Sequence, residues 1–260
     1  MLDDYFSNNE STLFSLLENS KYVNTAKALK RFYLKNSSIA NTIQSINYDT
    51  DNYSCFPLIR CQIEHFLVSF YIWIRFRIDE NDLTAERYYQ EYLIQEFIKR
   101  FGYTKSNNIP SRSIYVKALQ NVIERLKSEG RLNDEHIKVF KNLNRQLNEI
   151  KNEFSVPKIS EFLDNKLPED VTPYLKPKRA KQLLEDYNYL SSFIHGGPSS
   201  DMTVFESNVE EMKNASLEYK RWSLNLISLQ RFYIVYFLAL ENENIKTDMQ
   251  NEIEKINKKH

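Results

Sequence analysis

Residues 66–74 read Phe66-Leu67-Val68-Ser69-Phe70-Tyr71-Ile72-Trp73-Ile74. Their apolar side chains nearly surround a helix axis, which predicts a central, buried helix. Upstream, Ser54 offers an N-cap, and Pro57 falls in the first turn, where a missing N–H costs nothing. Downstream, the polar run 79–82 ends the segment, so one long helix is expected from about residue 54 to 78. A stretch of matching character lies near the C-terminal end. Trp222, Leu226, Phe232, Tyr233, Tyr236 and Phe237 fall in the second half of a helix expected over about 202–240. The two aromatic stretches are expected to pack against each other.

Working outward, Ser11 can cap a short helix through residue 17, and a second helix is expected over 22–46. Residues 47–52 read as a turn. Further helices are expected over 84–101, 112–129 and 133–154, the first two ending at Gly102 and Gly130. Residues 155–177 hold Pro157, Pro168, Pro173 and Pro177 and are expected to be an irregular linker or lid. A helix over 178–195 is stopped by Gly196, Gly197 and Pro198. Residues 241–260 form a charged tail, expected to continue as a frayed helix. The fold class that follows is all-α: a multi-helix bundle with long antiparallel core helices, in one domain over 1–260.

Composition agrees. Hydrophobic residues make up 42% of the 260 and aromatics 13%, enough for a substantial core. With 4 Gly and 7 Pro there is too little turn chemistry for a sandwich, barrel or doubly wound sheet. Thirty-five basic residues balance 35 acidic ones, so no global field draws the chain onto nucleic acid, and a basic site must be local. The only cysteines, Cys55 and Cys61, lie on one expected helix, too far apart along its axis to bridge easily. Reduced thiols, and hence a cytoplasmic protein, are the simple expectation. The apolar stretches 66–74 and 232–240 reach about half the length of a bilayer span and are flanked by Arg, so no membrane association is expected.

Three groups of residues can carry chemistry. Arg60 and Glu64 are four apart and share a helix face, just before the most apolar segment of the chain. They are either an intrahelical ion pair or part of a cleft, and His65 follows on another face. Tyr187, Ser191 and His195 align on one stripe of the helix that ends at Gly196. His195 sits where the negative end of the helix dipole favours an imidazolium, either as a helix cap or as an acid–base group. Together these residues suggest a composite site. Arg60 would bind a phosphate, Glu64 would orient His195 through a ring nitrogen, and His195 or His65 would act as general acid or base. Lys176, Lys178, Arg179 and Lys181 cluster at the start of the His195 helix, either as a solvated charge run or as a contact for an RNA or DNA backbone. No phosphate loop, HExxH or paired-cysteine motif occurs, and neither a metal nor a cofactor is expected.

The run Arg60-Cys61-Gln62-Ile63-Glu64-His65 resembles the Arg-x4-His signature of HEPN domains, with Cys61 where a polar residue is usual. Arg60 and Glu64, followed much later by Tyr187-x3-Ser191-x3-His195-Gly196, also look like a group of bacterial helical proteins related to that superfamily and found near defence genes. That second resemblance spans roughly residues 20–240 and makes His195 the partner of Arg60. The resemblance to HEPN domains implies an all-helical fold and a metal-independent endoribonuclease of an antiphage defence or toxin–antitoxin system. It further implies RNA as a partner, and a homodimer or an antitoxin-like protein that completes or silences the site. The alternative is a non-catalytic helical binding or regulatory module in which the same polar residues form a structural network.

Overall fold

The apolar stretch 66–74 lies within a 25-residue helix, α3 (Cys55–Asp79), and every large side chain in it is buried. The computed structural model describes residues 2–47, 51, 53–89, 124, 128, 153–166, 177–195, 198, 200 and 209–257. Among these, the helices are α1 (Leu2–Glu18), α2 (Val23–Ser45), α3, α4 (Leu83–Arg87), α5 (Val156–Lys166), α6 (Pro177–His195), α7 (Val209–Ala239) and α8 (Glu243–Asn257). No strand occurs among the described residues. None of their helices is long and apolar enough to cross a membrane.

The start of α3 is capped one turn earlier than the sequence suggests. Ser54 makes no side-chain cap bond. Instead, Asp51 Oδ1 accepts from the backbone N–H groups of Tyr53 (3.1 Å) and Ser54 (2.9 Å). The Ser54 side chain first, and then these backbone N–H groups, hold the Asp51 carboxyl below the usual carboxylate range. At the other end, Glu80 adopts the left-handed conformation (φ 50°) and donates its N–H to Phe76 O at 2.8 Å, which stops the helix. Asp82 then reaches the start of α2. Its carboxylate accepts from Asn24 N (2.7 Å), Thr25 N (2.6 Å) and Thr25 Oγ1 (2.6 Å), supplying the N-terminal partners that Tyr22 cannot.

The chain divides into two compact units: Met1–Asp82 with Ile159–His260, and Leu83–Lys158. The first unit is discontinuous in sequence, with the second inserted between its two segments. The physical reason is that the helices with long apolar faces come from both ends of the chain and close on α3.

In the discontinuous unit, α3 packs against α2, α6 and α7. Along α7, Trp73 stacks on Tyr233 (5.4 Å between ring centroids), Phe70 lies 5.9 Å from Tyr233, and Phe76 meets Phe237 at 5.0 Å. The expected pairing of the two aromatic stretches is therefore present. Buried Ser69 shares a hydrogen bond with Tyr233 (2.5 Å) and accepts from Gln230 Nε2 (3.2 Å), which satisfies polar atoms inside an otherwise apolar seam. Lys220 of α7 donates to the carbonyls of Gln44 (3.0 Å) and Ile46 (3.1 Å), placing a cation at the C-terminal end of α2.

Three expectations change at the ends of elements. Helix α1 starts at Leu2, not Ser11. Phe6 and Leu13 are both fully buried, and Asp3 is held by Arg231 (3.2 Å) and Ser228 (2.7 Å). The tail is a separate helix, α8, rather than a frayed continuation, because Asn242 Oδ1 accepts from the N–H groups of Asn244 (3.0 Å) and Ile245 (3.3 Å) and caps a new start. The segment expected to be irregular over 155–177 contains α5, with Pro157 in its first turn, where proline is tolerated. Phe162 of α5 meets Tyr71 edge-on at 5.1 Å.

In the inserted unit, the described residues include α4, the Arg87–Glu153 ion pair (2.5 Å) and an edge-on contact of Tyr88 with Phe154 (5.1 Å). The expected loop 107–110 lies outside the described residues, as do all but residues 84–89, 124, 128, 153 and 154 of the helices expected over 84–101, 112–129 and 133–154.

Candidate functional site

Helix α6 runs antiparallel to α3. Phe193 stacks on Phe56 (4.5 Å), and the Tyr53 hydroxyl donates to the Phe193 carbonyl. Farther along α3, Arg60 meets Ser191 and Tyr187. Rising residue numbers on α3 thus face falling numbers on α6.

The Arg60 guanidinium is the centre of the polar contact. Its Nη1 donates to Glu64 Oε2 at 2.8 Å, its Nη2 to the Tyr187 hydroxyl at 2.5 Å, and its Nε to Ser191 Oγ at 3.4 Å. The guanidinium carbon lies 4.4 Å from the centre of the Tyr187 ring, within cation–π range. Ser191 Oγ in turn donates to the Tyr187 carbonyl at 2.7 Å. Four of the residues singled out from sequence, Arg60, Glu64, Tyr187 and Ser191, are therefore brought together from positions up to 131 residues apart.

The cluster is neither dry nor open. The Arg60 side chain is 18% exposed and that of Glu64 39%, so water reaches the carboxylate more readily than the cation. Burial raises the Tyr187 pKa above the usual phenol value; the Glu64 charge adds to this and Arg60 opposes it. Tyr187 thus stays protonated near neutral pH, so its O–H is a donor while its oxygen accepts from Arg60.

His195 ends α6 and is exposed. It lies one helical turn beyond Ser191 on the same stripe, a rise of roughly 5.4 Å. No hydrogen bond to it occurs among the described residues. The expected Glu64–His195 contact is absent, and the antiparallel packing explains why. Glu64 lies one turn from Arg60 in one direction, whereas His195 lies one turn past Ser191 in the other. Along the helix pair the two are separated by on the order of 15 Å.

His65 points elsewhere. Its ring sits 5.8 Å from Phe32 of α2, and its Nδ1 is buried with no partner among the described residues. Burial first, and the Lys35 charge second, lower its pKa from 6.5 to about 4, so it is neutral near pH 7. Of the two candidate histidines, only His195 shares a helix stripe with residues that touch Arg60.

Lys176 lies outside the described residues. Lys178, Arg179 and Lys181 fall in the opening turns of α6, but their side chains lie outside the described set. Tyr53 also contributes. Its hydroxyl ties the last turn of α6 to the chain entering α3, and a lone tyrosine in a turn carries no sequence signal for that role. Among the described residues, no group of three or more His, Cys, Asp or Glu side chains is placed to hold a metal ion. Neither Cys55 nor Cys61 is in a disulfide. No protein-family model matches the chain, and neither does any curated protein or solved structure.

Proposed function

We propose that this chain is an RNA-cleaving effector of the HEPN type, acting without a metal. The observation that carries the reading is the seating of Arg60 on the Tyr187–Ser191 stripe, whose next turn is the exposed His195. An RNA phosphate held at the outer edge of the guanidinium would meet a delocalised cation suited to two oxygens and the Tyr187 O–H as a further donor. His195 would take the proton from the ribose 2′-OH, and Arg60 would stabilise the charge that builds on the phosphate. The 2′-oxygen bonds to phosphorus as the P–O5′ bond breaks, the departing 5′-oxygen takes a proton from water, and a 2′,3′-cyclic phosphate and a 5′-hydroxyl are left. The resemblance to HEPN proteins further suggests a homodimer, or a partner from a defence or toxin–antitoxin system, that completes or silences the site.

A second reading has its own support. Each of the three guanidinium nitrogens already has a partner within the protein. A cluster satisfied in this way can serve only to fix α6 on α3, which suits a non-catalytic helical binding or regulatory module.

One experiment separates the two. Wild type, Arg60→Ala and His195→Ala are incubated with total RNA and with tRNA in EDTA, and melting is recorded on the same samples. Cleavage by wild type alone, with His195→Ala melting as wild type does, supports the nuclease. Absence of cleavage in all three, with only Arg60→Ala losing stability, supports the module.

A further inference from the structure

We propose that Glu64 is a built-in competitor at Arg60, so that a phosphodiester ligand binds by displacing the Glu64 carboxylate. This inference rests on the reading above, that Arg60 receives phosphate. The three partners of Arg60 are not equivalent. Tyr187 and Ser191 are neutral hydroxyls on α6, and they position the guanidinium without cancelling its charge. Among the described residues Glu64 is the one anion bonded to it, at 2.8 Å, and it sits on the same helix as Arg60.

Three features make Glu64 the partner that yields. It is the more exposed member of the pair, at 39% against 18%, so a released carboxylate rehydrates at little cost. As an i,i+4 neighbour on one helix, it can swing away without moving α6. Its oxygen is held by Nη1, while Nη2 is shared with Tyr187, so an incoming phosphate that spans both terminal nitrogens must contest Nη1 with the carboxylate. Exposed pairs of this kind shift an equilibrium by no more than about fivefold. The repulsion between Glu64 and an incoming phosphate adds to that. The protein at rest therefore presents a nearly neutralised Arg60, and only a ligand with several phosphates or a well-shaped backbone competes for it.

The test measures binding of a 2′-O-methyl oligoribonucleotide, which has no 2′-OH to be cleaved, and separately of inorganic phosphate. The full chain is compared with Glu64→Gln, Arg60→Ala and the double variant, each checked by circular dichroism. The expected result is an affinity gain of roughly tenfold for Glu64→Gln that vanishes in the Arg60→Ala background. Glu64→Asp, which keeps the charge but shortens the reach, should show a smaller gain. Unchanged or weaker oligonucleotide binding by both folded Glu64 variants, with Arg60→Ala still abolishing binding, overturns the competitor role and leaves the phosphate site standing. Equal binding by wild type and Arg60→Ala, or none by any form, overturns both. A gain for inorganic phosphate alone identifies a site for free phosphate and overturns the assignment to a phosphodiester chain.

Discussion

Helix α3 meets α7 and α6 along two seams of opposite character. The α7 seam is aromatic and dry: Trp73 is 1% exposed and Tyr233 1%, and the polar atoms of Ser69 and Tyr233 pair with each other inside it. The α6 seam begins with the Phe56–Phe193 stack and passes into the part-exposed Arg60 cluster. One helix thus divides its work along its length. Its C-terminal half supplies buried area, which the hydrophobic effect converts into stability roughly in proportion. Its N-terminal half buries Phe56, Ile59 and Ile63 as well, but on the α6 side it carries the Arg60–Glu64 charges that water still reaches, where stability contributions are small but ligands can compete.

The largest effect that would break this contrast belongs to the dry seam. Trp73→Ala is expected to cost about 3–5 kcal/mol in urea unfolding, from lost burial and the cavity left behind. A loss below about 1 kcal/mol would mean that the seam does not anchor the fold. Arg60→Ala comes next, at roughly 1–2 kcal/mol, since hydrogen bonds to two hydroxyls and one exposed carboxylate are lost but their partners rehydrate. A loss as large as that of Trp73→Ala would erase the distinction between the seams.

A third test uses pH, at the residue next to Glu64. His65 has its pKa lowered to about 4, so between pH 4 and 6.5 the unfolded chain binds more protons at this site than the folded one. Its contribution is therefore fully present above pH 6.5 and is lost as the pH falls towards 4. The expected size is ~1 kcal/mol after allowing for its partial exposure to solvent. Wild type should lose that much more stability than His65→Gln between pH 7 and 4.5, and parallel curves for the two would refute the assignment. The smallest effect is expected for Lys220→Met, about 0.5–1 kcal/mol by thermal unfolding, from removing the cation at the end of α2. No change there would show that the α2 carbonyls are equally well served by water.

Much of this could be read from the chain. The span 66–74 announced a buried helix because its apolar residues leave no polar face, and the match with 222–237 followed from residue type. The Tyr187–Ser191–His195 stripe and the Arg60–Glu64 pair followed from helical spacing. The contact of Glu64 with His195 did not survive, because spacing fixes positions on one helix and not the direction in which two helices cross. Four prolines over 155–177 suggest an irregular segment, yet Pro157 falls in the first turn of α5, where proline is harmless. The caps from Asp82 to α2 and from Lys220 to α2 bridge 57 to 176 residues of sequence, and no local pattern announces such partners.

The pairing of Ser69 with Tyr233 spans 164 residues, and that interval has a meaning during synthesis. At roughly 5–20 residues per second, the ribosome finishes the α3 aromatic stripe on the order of 10–30 s before α7 emerges to cover it. Helix α2 is already available to shield one side, but the side that meets Trp73 and Phe70 must wait. The nascent chain therefore carries this aromatic surface without its α7 partner for more than half of its translation.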